Sequence, residues 1–147
     1  MNNSYQKGKD AFDSGLYCAE SVLKIIADEE GISSPLIPSI ATGFCGGMSR
    51  TCNMCGALTG GILALNVVYG RSTSDDSVDE NYKAVQLLIS SFEKEFGSLN
   101  CQELLECNLG THEGQKKFQE NDLHLKCREY TGKTTEFTRA IINNEKP

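Results

Sequence analysis

Gly43–Arg71 reads GFCGGMSRTCNMCGALTGGILALNVVYGR, and its two halves decide the fold. The first half gathers Cys45, Cys52 and Cys55 with Gly43, Gly46, Gly47 and Arg50 into a loop-like run. The second, from Ala57 to Tyr69, is almost wholly apolar, with no apolar/polar alternation. Such a run has no polar face to offer water, so it predicts a helix enclosed by others. It is too short to span a bilayer, which takes about 20 apolar residues. Cys52-Asn53-Met54-Cys55 stands at the start of this buried helix. There the unpaired N–H groups and the positive pole of the helix dipole favour thiolate over thiol. Gly46, Gly47, Gly56, Gly60 and Gly61 also allow tight turning and close helix packing.

Upstream, residues 3–13 read as a short amphipathic helix ending near Ser14-Gly15. Tyr17–Ala27 places Cys18, Val22, Ile25 and Ile26 on one helical stripe, which puts Cys18 on its buried side. Ser34-Pro35 carries the signal of a helix start, with Leu36, Ile37, Ile40 and Ala41 apolar and Gly43 at the end. Downstream of the central helix lies a polar, acidic loop over 70–77, followed by a capping-box pattern at Ser77–Glu80. A long amphipathic helix follows, with Tyr82, Val85, Ile89, Phe92 and Phe96 as its apolar stripe, and Gly97 stops it. Cys101 falls in the first turn of a short helix, 107–113 reads as loop, and 115–125 is weakly helical. Cys127 leads into a last helix through Phe137, Ile141 and Ile142. No strand pattern is visible. The expectation is all-α: one compact bundle-like domain over 1–147, with about six to seven helices around a buried central one.

Composition narrows the function classes. A net charge of −6 argues against nucleic acid, whose phosphates call for clustered Lys and Arg. The opening MNNSYQKGKDAFDSG lacks the apolar core of a secretory signal, and no stretch qualifies as transmembrane, so the expected location is cytoplasmic and not membrane-embedded. The 7 cysteines are Cys18, Cys45, Cys52, Cys55, Cys101, Cys107 and Cys127. Their odd number and the expected reducing compartment point away from a disulfide framework and toward redox groups, metal ligands or buried apolar side chains.

Cys52-x-x-Cys55 is the sharpest local feature, because two thiols at that spacing can close a small disulfide. The βαβ context of a thioredoxin is missing, and Gly56 stands where a c-type haem signature requires His. A structural zinc site usually shows two such pairs, or one pair with two histidines. Here only one pair exists, though His124-x-x-Cys127 has helical spacing and His112 lies near Cys107. An iron–sulfur cluster needs four thiolates, which scattered cysteines supply only if the fold gathers them. Arg50 could stabilise a thiolate, bind an anionic substrate or cap a helix.

Taken together, YCAESVL, FCGGMSRT, CGALTGGILAL with its YGR, and FGSLNCQELL resemble the C_GCAxxG_C_C family of redox-active proteins over nearly the whole chain. Met54 precedes Cys55 where the family's name has Gly. The resemblance implies a small helical cytosolic protein, associated with transporter-linked genes, whose characteristic cysteines are Cys18, Cys55, Cys101 and Cys127. Cys45, Cys52 and Cys107 fall outside that set. Two chemical readings stand, and a third is structural. In a dithiol or electron-transfer protein, Cys55 is the nucleophile, and Cys52, Cys18, Cys101 or Cys127 resolves it. In a metal protein, Cys18, Cys55, Cys101 and Cys127 hold a [2Fe–2S] cluster, which a similar part of a multihaem cytochrome suggests, or zinc. In the third reading the chain is a non-catalytic partner of a transporter system. The redox partner is unknown, and a homodimer stays open.

Overall fold

A computed structural model describes residues 3–147. In chain order the helices are α1 (Ser4–Asp13), α2 (Cys18–Glu29), a 3-10 helix (Ser39–Phe44), α3 (Cys45–Arg50), α4 (Gly56–Tyr69), α5 (Asp79–Phe96), α6 (Cys101–Leu105), α7 (His112–Glu120) and α8 (His124–Ile142). No strand occurs among the described residues, and the protein is all-α as its periodicity predicts. None of these helices is long and apolar enough to cross a membrane.

α4 is the central helix. It packs on α2, α8 and α5, and its N-terminal half, Gly56 to Gly61, is buried throughout. The crossing with α2 is tight enough that a β-carbon on Gly60 would stand 2.6 Å from the Ala19 carbonyl oxygen. Only a glycine lets the two backbones come that close. Val22, Leu23 and Ile26 of α2, Leu58 and Leu65 of α4, and Leu88 and Phe92 of α5 fill the core between them. Burying each such side chain contributes about 1.5–3 kcal/mol. Phe92, Phe96 and Tyr130 close one end as an aromatic group, with Phe96 and Tyr130 edge-on at 4.7 Å between ring centres.

α8 is buried although its sequence is polar. Thr131, Thr134, Thr135 and Thr138 are all fully enclosed. The hydroxyls of Thr131, Thr135 and Thr138 donate to the carbonyls of Cys127, Thr131 and Thr134 at 2.7, 2.7 and 2.8 Å. Satisfied in this way, these three hydroxyls are buried at little polar cost, while that of Thr134 has no partner among the described residues. Arg139 then ties α8 to the end of α2 through Glu29 at 3.1 Å and Glu30 at 3.4 Å, while Lys7 of α1 pairs with Glu29 at 3.1 Å.

Several boundaries differ from the sequence reading. Residues 34–43 form turns and a 3-10 helix, not an α-helix, because Pro38 inside the segment has no N–H and its ring obstructs the preceding turn. Ser77 accepts a hydrogen bond from the Asp79 N–H at 3.1 Å, but α5 starts only at Asp79 and no reciprocal capping box forms. On α5 the buried stripe runs through Ala84, Leu88 and Phe92, leaving Tyr82 exposed. The weak helix at 115–125 is two helices, α7 ending at Glu120 and α8 starting at His124.

Candidate functional site

The site begins with an unusual backbone. From Gly46 to Arg50 five successive residues have φ between 59° and 68°, so α3 winds left-handed. That handedness costs a residue with a β-carbon roughly 1–2 kcal/mol. Met48, Ser49 and Arg50 bear it here because the ends of the turn are tied down. Ser49 donates to the Gly43 carbonyl at 2.9 Å, and the Gly47 carbonyl accepts from Asn53 N–H at 3.0 Å.

The strand-like residues that follow are held against the start of α6. Cys101 N–H donates to the Asn53 carbonyl, and Cys55 N–H to the Leu99 carbonyl, each at 2.8 Å. Asn100 serves both segments. Its side-chain oxygen accepts from the N–H groups of Gln102 and Glu103 at 3.0 and 3.3 Å, capping α6, while its amide donates to the Cys52 carbonyl at 2.7 Å. This clamp seats Cys101 against Gly47, where a β-carbon would stand 2.6 Å from that of Cys101.

Above the start of α4 these elements enclose a cavity of about 680 Å³. Cys18, Cys45, Cys55, Cys101 and Cys127 all line it, as do Tyr130, His124 and Arg50. Cys18 of α2, Cys45 of α3, Cys101 of α6, Cys127 of α8 and Cys55 at the N-cap of α4 thus bring sulfur to one space. Cys52 lies elsewhere. It lines a second pocket with Cys107, so the Cys52-x-x-Cys55 pair is divided between two sites. No cysteine among the described residues is in a disulfide.

Burial and hydrogen bonding sort the thiols. Cys45 lies beside Cys18, and its influence, with burial and the neighbouring sulfurs of Cys55 and Cys127, holds the Cys18 pKa far above that of an ordinary thiol. Cys18 in turn favours a Cys45 thiolate, while the protonated Cys45 donates to the Ala41 carbonyl at 3.7 Å. Burial opposes the thiolate, and the N–H groups of Glu20 and Ala19 favour it, leaving the Cys45 pKa at about 7. Those donors belong to the first turn of α2, where backbone N–H groups lack partners within the helix. The Glu20 carboxylate accepts from the Tyr17 N–H at 3.0 Å and the Thr42 hydroxyl at 2.8 Å, and its negative charge works against the Cys45 thiolate.

The expectation that Cys55 carries the depressed pKa is corrected. Burial pushes it up to about 11, outweighing the Ala57 and Leu58 N–H groups at the start of α4. Cys101, also in a first helical turn, is driven to about 12 by burial and by the sulfurs of Cys55, Cys107 and Cys52. Burial likewise raises Cys127, with help from Cys55 and Cys101. A helix end lowers a thiol pKa only where burial does not remove more than the helix end supplies. Tyr130, whose hydroxyl donates to the Leu104 carbonyl at 3.1 Å, is raised to about 12 by burial and by the same cysteines.

The sequence reading left Cys45 outside the candidate set. Its signal was the Gly46-Gly47 that follows, since the turn those glycines begin is what brings Cys45 beneath α2. His124 reaches the rim of the cavity, whereas His112 stays on the surface. For the metal reading the donor chemistry is suitable, but the spacing is not. A zinc ion needs its sulfurs at about 2.3 Å, and among the described residues no group of three or more His, Cys, Asp or Glu stands close enough to hold an ion.

The fold and the site together define a small all-helical protein with five cysteines gathered around one cavity. The chain belongs to the family described as putative redox-active protein (C_GCAxxG_C_C), whose sequence model matches residues 16–141. No curated protein and no solved structure matches it.

Proposed function

We propose that the chain is a dithiol redox protein in which Cys45 is the attacking thiolate and Cys18 the resolving thiol. The cavity they share with Cys55, Cys101 and Cys127 receives a disulfide substrate. The observation that carries this reading is the pairing of Cys18 with Cys45 in one cavity beside the first turn of α2, where Cys18 and the Ala19 and Glu20 N–H groups lower the Cys45 pKa to about 7. Their proximity has a second witness in Gly56, whose missing side chain leaves the space between the Cys18 sulfur and the Cys45 backbone.

The step balances as an exchange. The Cys45 thiolate attacks one sulfur of the substrate disulfide, forming a mixed disulfide and releasing the first substrate thiolate, which takes a proton from solvent. Cys18 gives up its proton and attacks the Cys45 sulfur, which releases the second substrate thiol and closes Cys18–Cys45. Two electrons pass to the substrate, and a thiol reductant returns the protein to its starting state. Attack by a thiolate whose pKa is near ambient pH is close to the optimum for such exchange.

The test is to treat reduced, anaerobically purified protein with glutathione disulfide and map the bonds formed. A Cys18–Cys45 disulfide in the wild type, and a stable glutathione adduct on Cys45 in Cys18→Ser, are the expected results. Modification that bypasses Cys45 would reject the reading. Iron with acid-labile sulfide, or about one zinc per chain in the same preparation, would favour the metal alternative on Cys18, Cys55, Cys101 and Cys127.

A further inference from the structure

Two neighbouring segments share an arrangement that the cavity does not use. Residues 52–55 and α6 with its flanks run side by side, joined by the Met54–Asn100 antiparallel bridge and by the bonds of Asn53 and Leu99 to Cys101 and Cys55. Each segment sends one thiol inward and one outward. Cys55 and Cys101 line the cavity, while Cys52 and Cys107 line the second pocket. Asn100, Gln102, Glu103 and Glu106 line that pocket of about 580 Å³ with them. Burial raises the Cys107 pKa, and Cys52 stands near enough to Cys107 for its charge to raise it further.

The backbone holds both outward thiols in place. Cys52 sits at φ 67°, its carbonyl fixed by the Asn100 amide at 2.7 Å. Cys107 is delivered by the left-handed turn at Glu106 that ends α6, whose carbonyl accepts from Lys117 Nζ at 2.6 Å. Cys52 is half-buried and Cys107 buried, so an incoming molecule meets Cys52 first. Glu103 and Glu106 give the pocket wall negative charge, while Lys117 and Lys126 lie on the side of Cys107.

We infer that Cys52 and Cys107 form a second, outward-facing dithiol that closes to a disulfide by exchange with a small disulfide carrying cationic groups. The Cys52 thiolate attacks one sulfur of the small disulfide, and the first small thiolate leaves and is protonated by solvent. The Cys107 thiol then loses its proton and attacks the Cys52 sulfur, displacing the second small thiol. One small disulfide and two protein thiols become one protein disulfide and two small thiols. This site does not depend on the inner pair, since neither Cys18 nor Cys45 takes part.

Cystamine, a disulfide with an amine at each end, is the probe. Reduced full-length protein is treated with it, quenched in acid and alkylated at its remaining thiols. Cyanogen bromide then cuts after Met48 and Met54, which separates Cys52 from Cys55. Cleavage after glutamate at Glu103, Glu106 and Glu113 separates Cys101 from Cys107. The expected product joins the 49–54 fragment to the 107–113 fragment. In Cys107→Ser that link is lost and Cys52 keeps a cysteamine adduct. The inference is overturned if Cys52 is joined to Cys55 or Cys101, if each outward thiol carries its own cysteamine, or if both stay free. The Cys18 and Cys45 fragments are read in the same map, so failure of the inner pair is scored separately.

Discussion

The Cys18 sulfur and the Cys45 backbone lie against the same face of Gly56. The two thiols shift in opposite directions, Cys18 upward and Cys45, beside the Ala19 and Glu20 N–H groups, downward to about 7. The pH dependence follows from that asymmetry. Below pH 7 Cys45 is mostly protonated and slow to react; above it the thiolate dominates, so alkylation at Cys45 should rise through a midpoint at about 7. Cys18→Ala removes the largest influence lowering that pKa, so the midpoint should move up toward the ordinary thiol value of about 8.5. Cys18→Ser retains a donor and should move it less. Iodoacetamide rates at Cys45, followed by mass spectrometry across pH, decide this. An identical midpoint in wild type and Cys18→Ala would remove the role given to Cys18.

Gly56 makes that pairing sterically possible. A β-carbon there would press on the Cys18 sulfur and stand 2.9 Å from the Phe44 carbonyl oxygen and 3.1 Å from the Cys45 α-carbon. Gly56→Ala should therefore destabilise the fold by about 1–3 kcal/mol, the usual cost of overpacking a core. It should also raise the Cys45 midpoint, because the added methyl moves Cys18 away from Cys45. Urea denaturation reads the first effect and alkylation the second. A loss of stability with no change in reactivity would show that Gly56 serves packing alone.

The sequence disclosed the frame more fully than the chemistry. The apolar run at 57–69 announced α4 because a helix without a polar face has nowhere to go but the interior. Cys18 was placed on the buried side of α2 by its period, and there it lies. The burial of α8 was not legible, since its threonines look polar until their hydroxyls turn back to the carbonyl one turn earlier. Nor was the division of Cys52 from Cys55. It arises from left-handed residues at 46–50 and 52, and a non-glycine side chain gives no local sign of that conformation. The reversal at Cys55 has the same character, because the depth of burial that raises its pKa depends on segments far away in the chain.

Asn100 offers a separable test of the wall between the two pockets. Asn100→Ala removes both the α6 cap and the amide that holds the Cys52 carbonyl, and should cost about 1–2 kcal/mol. Asn100→Asp keeps an oxygen for the Gln102 and Glu103 N–H groups but has no amide to donate to Cys52. It should recover part of the stability while leaving Cys52 more reactive to alkylation than in the wild type. Denaturation midpoints and Cys52 labelling rates report the two functions independently. Equal labelling in Asn100→Asp and wild type would mean that the amide does not restrain Cys52.

Arg50 bears on what the cavity admits. Its side chain lines the cavity, is exposed, and forms no hydrogen bond or ion pair with any described residue. An unpaired guanidinium at a rim leading to buried thiols attracts anions and raises their local concentration. Arg50→Gln should therefore slow the reaction of Cys45 with glutathione disulfide, whose carboxylates are negative, by several-fold. With the uncharged hydroxyethyl disulfide the rate at Cys45 should change little. Raising the salt concentration should narrow the gap between wild type and variant for the anionic probe, because screening weakens an exposed charge. If both probes slow equally, Arg50 acts by holding the left-handed turn in shape and not by its charge; if neither slows, the rim charge has no part in admitting the substrate.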